Sequence, residues 1–491
     1  MKKIVPFGIL VIVVILALMY PGNTAATPAA TTYNGADIAW MLISTALVLL
    51  MTPGLAFFYG GMVRKKNVIS TMLQSFVCMG LITIIWVVFG FSMAFGEDVN
   101  GWGLIGNPSS FFMMQNTMGV AWLGGTIPVI LFAMFQLKFA VITPALITGA
   151  FAERIRFNSY LIFITLFIIV IYIPLAHATW HPEGIFFKYG VLDFAGGTVV
   201  HMSAGWAALA SALYLKKRNE VAESHAPARI SYVILGTGLL WFGWFGFNAG
   251  SALSSGELAA TALATTTTAS AAAAISWIFF DILRGKKPSA LGACIGAVVG
   301  LVAVTPAAGF ITVSSSLIVG IVAAVVSNLV VIWRSKTNID DTLDVFPCHG
   351  VGGMVGMLMT GIFATKSVNS FGAEGLFYGE SALFIKHVVA LVAVSVFAFV
   401  GAFILLKITD LISPLRVSPE DEIKGLDASQ HDEELQSSLN IKKPRLITGG
   451  AFFITNIYWP GIAWRAGRCC LCCSRCCWRC CCSACLCASW A

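Results

Sequence analysis

Charge is what this chain has least of. Of 491 residues, 11% are Asp, Glu, Lys or Arg, against about 25% in soluble domains. That shortage excludes a soluble enzyme, a nucleic-acid binder and a disordered chain, each of which needs charged surface. Cysteine is also scarce through most of the length, with three residues before position 469, so the main body carries no disulfide framework. What replaces charge is apolar surface: 58% of residues are hydrophobic and the mean hydropathy is +0.85. Soluble cores cannot hide that much at this length, so part of the solvent is lipid.

The apolar residues fall into runs. Lys2-Lys3, an apolar stretch over 4–19 and small residues over 23–30 have the layout of a secretory signal peptide, expected over 1–26. Eleven further runs are long enough to span a bilayer, which takes about 20 helical residues. They lie near 38–59, 68–95, 126–152, 157–176, 197–215, 230–250, 258–283, 289–304, 310–333, 348–364 and 381–411. Alternate loops between them are basic. One set collects fourteen Lys and Arg, from Arg64 to Lys336, and the other only Lys188 and Lys366. The positive-inside rule therefore predicts an N-terminus outside, a cytoplasmic C-terminus and a multi-pass protein of the cell (inner) membrane. The expected domains are a transmembrane unit over 33–411, a cytoplasmic tail over 412–448 and an atypical extension over 449–491. The extension carries eleven of the fourteen cysteines, between Cys469 and Cys487, too dense a run for a defined zinc site.

Polar groups at membrane depth are costly and point to function. Asp193, Lys138, Gln136, His201 and His349 sit in or beside apolar runs. His201 and His349 are each flanked by glycines, in the fifth and tenth spans. Five is odd, so a duplicated five-span unit must insert upside down, with its site between the repeats. The fold expected is an all-α polytopic membrane protein of eleven transmembrane helices with an inverted five-plus-five repeat. A lone histidine is usually a satisfied core residue; two in equivalent places indicate a shared pore feature. Cys348 precedes His349 directly, but neighbours on an α-helix point about 100° apart. No third ligand converges with them, so no metal site, cofactor or enzymatic activity is expected. Aromatic residues supply the second cue. Phe135 and Phe139 share a helix face, and Trp244, Phe247 and Ser251 crowd the end of the sixth span. Trp180 is placed in an outer loop. Single rings are ordinary packing, but together they can form a vestibule whose π faces attract a small cation.

These residues resemble the Amt/Mep/Rh ammonium transporters. The stretch Asp193-Phe194-Ala195-Gly196-Gly197-Thr198-Val199-Val200-His201 looks like that family's signature. Phe135-Gln136-x-x-Phe139, Ala152-Glu153-Arg154, Trp244 to Ser251, Asp344-Val345-Phe346-x-x-His349 and the segment from Leu415 to His431 are similar to its bacterial members. The resemblance covers about 37–431 and implies a homotrimer with one hydrophobic pore per subunit. It assigns Phe135, Trp180 and Ser251 to an outer ammonium site, with Asp193 stabilising it from behind. Phe139 and Phe247 become a stacked gate and His201 with His349 the paired histidines beneath, while Trp244 and Gln136 line or support the path. The tail would meet a cytosolic PII-type regulator or a signalling domain, although His431 is followed by Asp432-Glu433-Glu434 where the family usually has Gly-Glu. Two functions are compatible with such a chain: an ammonium channel or transporter, and an ammonium sensor of the same fold with little flux.

Overall fold

The computed structural model describes residues 5–22, 33–219 and 226–435. Among them the secondary structure is helical, with isolated β-bridges but no strand. Eleven helices of fifteen residues or more follow in chain order between residues 35 and 412. The first five are α1 Gly35–Met62, α2 Lys65–Phe95, α3 Val129–Phe151, α4 over 157–180 and α5 Gly197–Leu215. The next five are α6 Ile230–Ala252, α7 Glu257–Leu283, α8 Ala290–Val304, α9 Val313–Ser335 and α10 Phe346–Phe363. Last comes α11, Ala382–Ile412. Ten are long and apolar enough to cross a membrane, and α8, at 15 residues, is the short one.

Caps set several starts. The Asn34 side chain accepts from the Ala36 and Asp37 N–H groups at the head of α1, and Ser289 and Thr312 do the same for α8 and α9. The boundaries differ from the sequence expectation at α4, which runs on to Trp180, so that residue ends a helix and does not sit in a loop. A stripe of α11 that includes Ile385, Val389, Val392 and Val396 is exposed. Such a stripe suits lipid and not water. The leading apolar stretch forms a helix, Val5–Met19. The signal-peptide residues 23–30 and the Cys-rich extension lie outside the described residues.

The two repeats meet through glycine. A Cβ on Gly205 of α5 would stand 2.1 Å from the Gly350 amide nitrogen of α10. No side chain fits there, so α5 and α10 cross with their backbones in contact. That crossing brings His201 and His349 together.

At one end of the bundle the loops are bound by buried ions. Glu153 pairs with Arg64 at 2.6 Å and Arg218 at 2.9 Å, and Arg218 also pairs with Asp340 at 2.8 Å. Burial alone would raise both carboxyls. Arg218 and Arg64 outweigh it at Glu153, whose pKa is lowered, and Arg154 with Arg218 holds Asp340 at about 2. The tail docks on this layer. The Val417 N–H donates to the Arg154 carbonyl, Arg416 pairs with Glu422 at 2.9 Å, and Asp427 accepts from the Ile69 and Ser70 N–H groups near the start of α2.

Candidate conduction path

Both histidines sit in wide turns. Gly197–Met202 and Phe346–Val351 open α5 and α10 as π-helical segments, a rare geometry that recurs at functional sites. Each is held by a carboxylate eight residues ahead of its histidine. The Asp193 Oδ1 accepts from the Gly196 and Gly197 N–H groups at 2.8 and 2.7 Å, and its Oδ2 from the Thr198 N–H at 2.7 Å and the Thr198 hydroxyl. In the second repeat Asp341 Oδ2 accepts from the Phe346 N–H at 2.7 Å. Sequence reading singled out Asp344 in this segment and passed over Asp341; the equal spacing to the two histidines was the signal that could have found it.

From these turns a column of rings runs through the bundle. Phe135 meets Phe139 edge-on at 4.9 Å between centroids, and Phe139 lies on Phe247 at 4.1 Å with planes 31° apart. Phe247 is 6.1 Å from the His201 ring, which faces His349 at 5.4 Å. Trp180 abuts Phe139 at 5.9 Å, its indole N–H donating to the Asp193 carbonyl at 3.0 Å. Trp244 stacks on His201 at 5.4 Å, and its N–H donates to the Thr305 hydroxyl at 3.0 Å. Thr305 is a positioning group that the sequence did not reveal. Ser251 stands beside the column, its hydroxyl donating to the Phe247 carbonyl at 2.9 Å, which leaves its oxygen lone pairs able to accept.

The imidazoles pair through Nδ1 atoms 3.3 Å apart, slightly beyond the 2.7–3.2 Å range of ordinary hydrogen bonds. One ring must donate and the other accept. The neutral pair therefore turns one N–H and one lone pair outward through its Nε2 atoms. The cavity beside them is walled by Leu55, Ile142, Leu146 and Leu240, so little but the histidines can hydrogen-bond to an occupant. Gln136 is buried with its carbonyl oxygen unpartnered. Lys138 is half-buried on α3, adjacent to Phe139, and makes no hydrogen bond or ion pair with a described residue. Among the described residues no group of three or more His, Cys, Asp or Glu could hold a metal ion.

These features define an all-helical multi-pass membrane protein with a buried column of rings between two inverted repeats. The family described as the Ammonium Transporter Family matches residues 39–435. The chain belongs to that family, which is one of transporters and channels and not of enzymes. An ammonium transporter of Bacillus subtilis is 46% identical over 407 residues, covering 81% of this chain and 98% of its own. Ammonium transporter Amt1 of Archaeoglobus fulgidus is 40% identical over 398 residues, covering 81% and 98%. Among solved structures, Mep2 of Saccharomyces cerevisiae aligns with a TM-score of 0.76 at 33% identity, covering 81% of this chain and 93% of its own. A protein described as a sensor Amt protein aligns with a TM-score of 0.72 at 27% identity, covering 81% and 98%.

Proposed function

We propose that the protein recruits ammonium at the aromatic end of the column, removes its proton and passes ammonia along the paired histidines. The observation that carries this reading is the ring column, with Phe139 on Phe247 at 4.1 Å above imidazoles that face each other. Ammonium and potassium are close in size and charge, so size cannot separate them. Only ammonium can shed a proton, and a bare cation in an apolar path costs several kcal/mol or more. A dry stack of rings followed by neutral imidazoles therefore rejects permanent cations and admits ammonia. Phe135, Trp180 and Ser251 would hold the ion first, through π faces worth about 0.5–2 kcal/mol each and one hydroxyl acceptor. Asp193 adds favourable potential without touching it. The aromatic end then faces outward and the basic end faces the cytoplasm, three copies form the working unit, and the leading helix is a removable signal. The docked tail is where a PII-type regulator would act.

Reconstituted protein should take up methylammonium and ammonium into liposomes with no response to sodium or potassium. A potassium current of comparable size would defeat the ammonia filter. Replacing one imidazole with a carboxylate should stabilise a bare cation in the path, so His201→Asp is expected to lower discrimination against potassium and not merely to slow uptake. The sensor remains the second reading, favoured by the similarity to a sensor Amt protein and by the tail's contacts with the α2 start. Saturable ammonium binding with no flux would select it.

A further inference from the structure

Past His349 the path continues into a second cavity, lined by Phe58, Tyr59, Met62, Leu343, Cys348 and His349. Met62 is the last residue of α1, so this cavity reaches the charged end of the bundle. An α-helix would turn adjacent residues about 100° apart. Here Cys348 and His349 lie in the π-helical opening of α10, whose wider turn brings consecutive side chains closer in direction. Both reach the same cavity.

Their partners set these two side chains apart. Cys78 is engaged with the Tyr160 hydroxyl at 3.0 Å. The Cys348 thiol, in contrast, makes no hydrogen bond to a described residue, although the residue is 7% exposed. His349 is 4% exposed and uses Nδ1 on His201, and its Nε2 has no hydrogen-bond partner among the described residues. A soft sulfur and a free imidazole nitrogen thus line one cavity whose other walls are mostly apolar. Thiolate and imidazole suit soft univalent metals, and closed-shell ions such as Cu(I) and Ag(I) are satisfied by two ligands in line.

We propose that Cys348 and His349 form a two-ligand site for a soft univalent cation, and that its occupation plugs the path. On binding, the Cys348 thiol loses its proton to solvent and a sulfur–metal bond forms; no electron changes hands. His349 must then carry its proton on Nδ1, donated to His201, so that the Nε2 lone pair faces the ion. The plugging part rests on the transport reading above; the site itself does not.

Site-resolved labelling of the full-length protein tests the site without flux and is not confused by the cysteines after residue 468. Methyl methanethiosulfonate should convert Cys348 to its methyl disulfide, read by mass spectrometry of the digested chain. Micromolar Ag(I) should protect that residue at least tenfold, and His349→Leu should remove most of the protection. Equal labelling with and without silver, or full protection in His349→Leu, overturns the two-ligand site. In liposomes, silver should block methylammonium uptake, and Cys348→Val and Cys348→Ser should each need at least tenfold more silver for half-block relative to their own untreated rates. Block that persists unchanged in both variants overturns the plug. A protein with no uptake before silver is added overturns the transport reading instead, and the labelling then decides the site alone.

Discussion

The two π-helical openings use the same device in different surroundings. In the first, Asp193 receives three backbone N–H groups and one hydroxyl, so both its oxygens are fully engaged. No ion pair reaches it from a described Lys or Arg. In the second, Asp341 takes the Phe346 N–H on one oxygen while the other has no partner. Arginines are near: Arg334 pairs with Asp344 at 2.7 Å, and both Arg334 and Arg154 act on Asp341. Burial still wins there and raises the Asp341 carboxyl. An inverted repeat that kept only its folding role would keep both ends alike. The difference leaves Asp193 held by hydrogen-bond donors alone at the aromatic end, whereas Asp341 lies among arginines at the other.

The largest effect is expected where the cap is most heavily used. Asp193→Ala leaves three N–H groups unpaired, each worth about 1–3 kcal/mol when buried. Uptake or assembly should be lost, whereas Asp193→Glu retains an acceptor and part of the activity. An alanine variant that assembles and transports normally would reduce Asp193 to a dispensable cap and break the comparison. Asp341→Ala removes one such bond and should cost about 1–3 kcal/mol. Thermal unfolding in detergent should therefore show a smaller loss than for Asp193→Ala. An equal loss would mean that the neighbouring arginines depend on Asp341 more than its hydrogen bonds suggest.

How much of this was legible beforehand follows from what each residue announces in one dimension. Apolar runs declare spans, so all eleven helices were readable, and loop charge suggested their sense. The candidate site residues stand out because polar side chains at membrane depth are costly and because several rings recur close to them. What stayed hidden depends on contacts. Thr305 looks like any small polar residue until the Trp244 indole is seen to donate to it. The fourth apolar run ends near 176, which puts Trp180 in a loop, while the helix in fact persists to that residue. Cys348 was set aside on α-helical geometry, which the π-helical opening of α10 does not obey. Backbone irregularity of that kind has no composition signal: each opening holds a single glycine, and the glycines in and around both also serve close packing.

The smallest expected effect concerns the ion layer at the basic end, and it sharpens the comparison through pH. Asp340 titrates at about 2, held down by Arg154 and Arg218 against the effect of burial. A carboxyl depressed below its unfolded value of 3.8 contributes stability that is fully present above that value. That stability is lost as pH falls from 3.8 through about 2, because the unfolded chain then binds the proton more readily. Glu153, also lowered by Arg218 and Arg64, acts with the same sign just below its own ordinary range. The Glu153 and Asp340 contribution is therefore flat at neutral pH and falls only below about pH 4. The carboxyls of Asp344, raised by burial to about 7, and Asp341, also raised by burial, instead favour folding as pH falls toward that range. Arg218→Gln should remove most of the Glu153 and Asp340 contribution, since one guanidinium serves both carboxylates. Detergent-solubilised protein scanned by thermal unfolding between pH 3 and pH 7 would show it. If the wild type loses stability already between pH 7 and pH 5, a group other than these paired carboxylates governs the basic end.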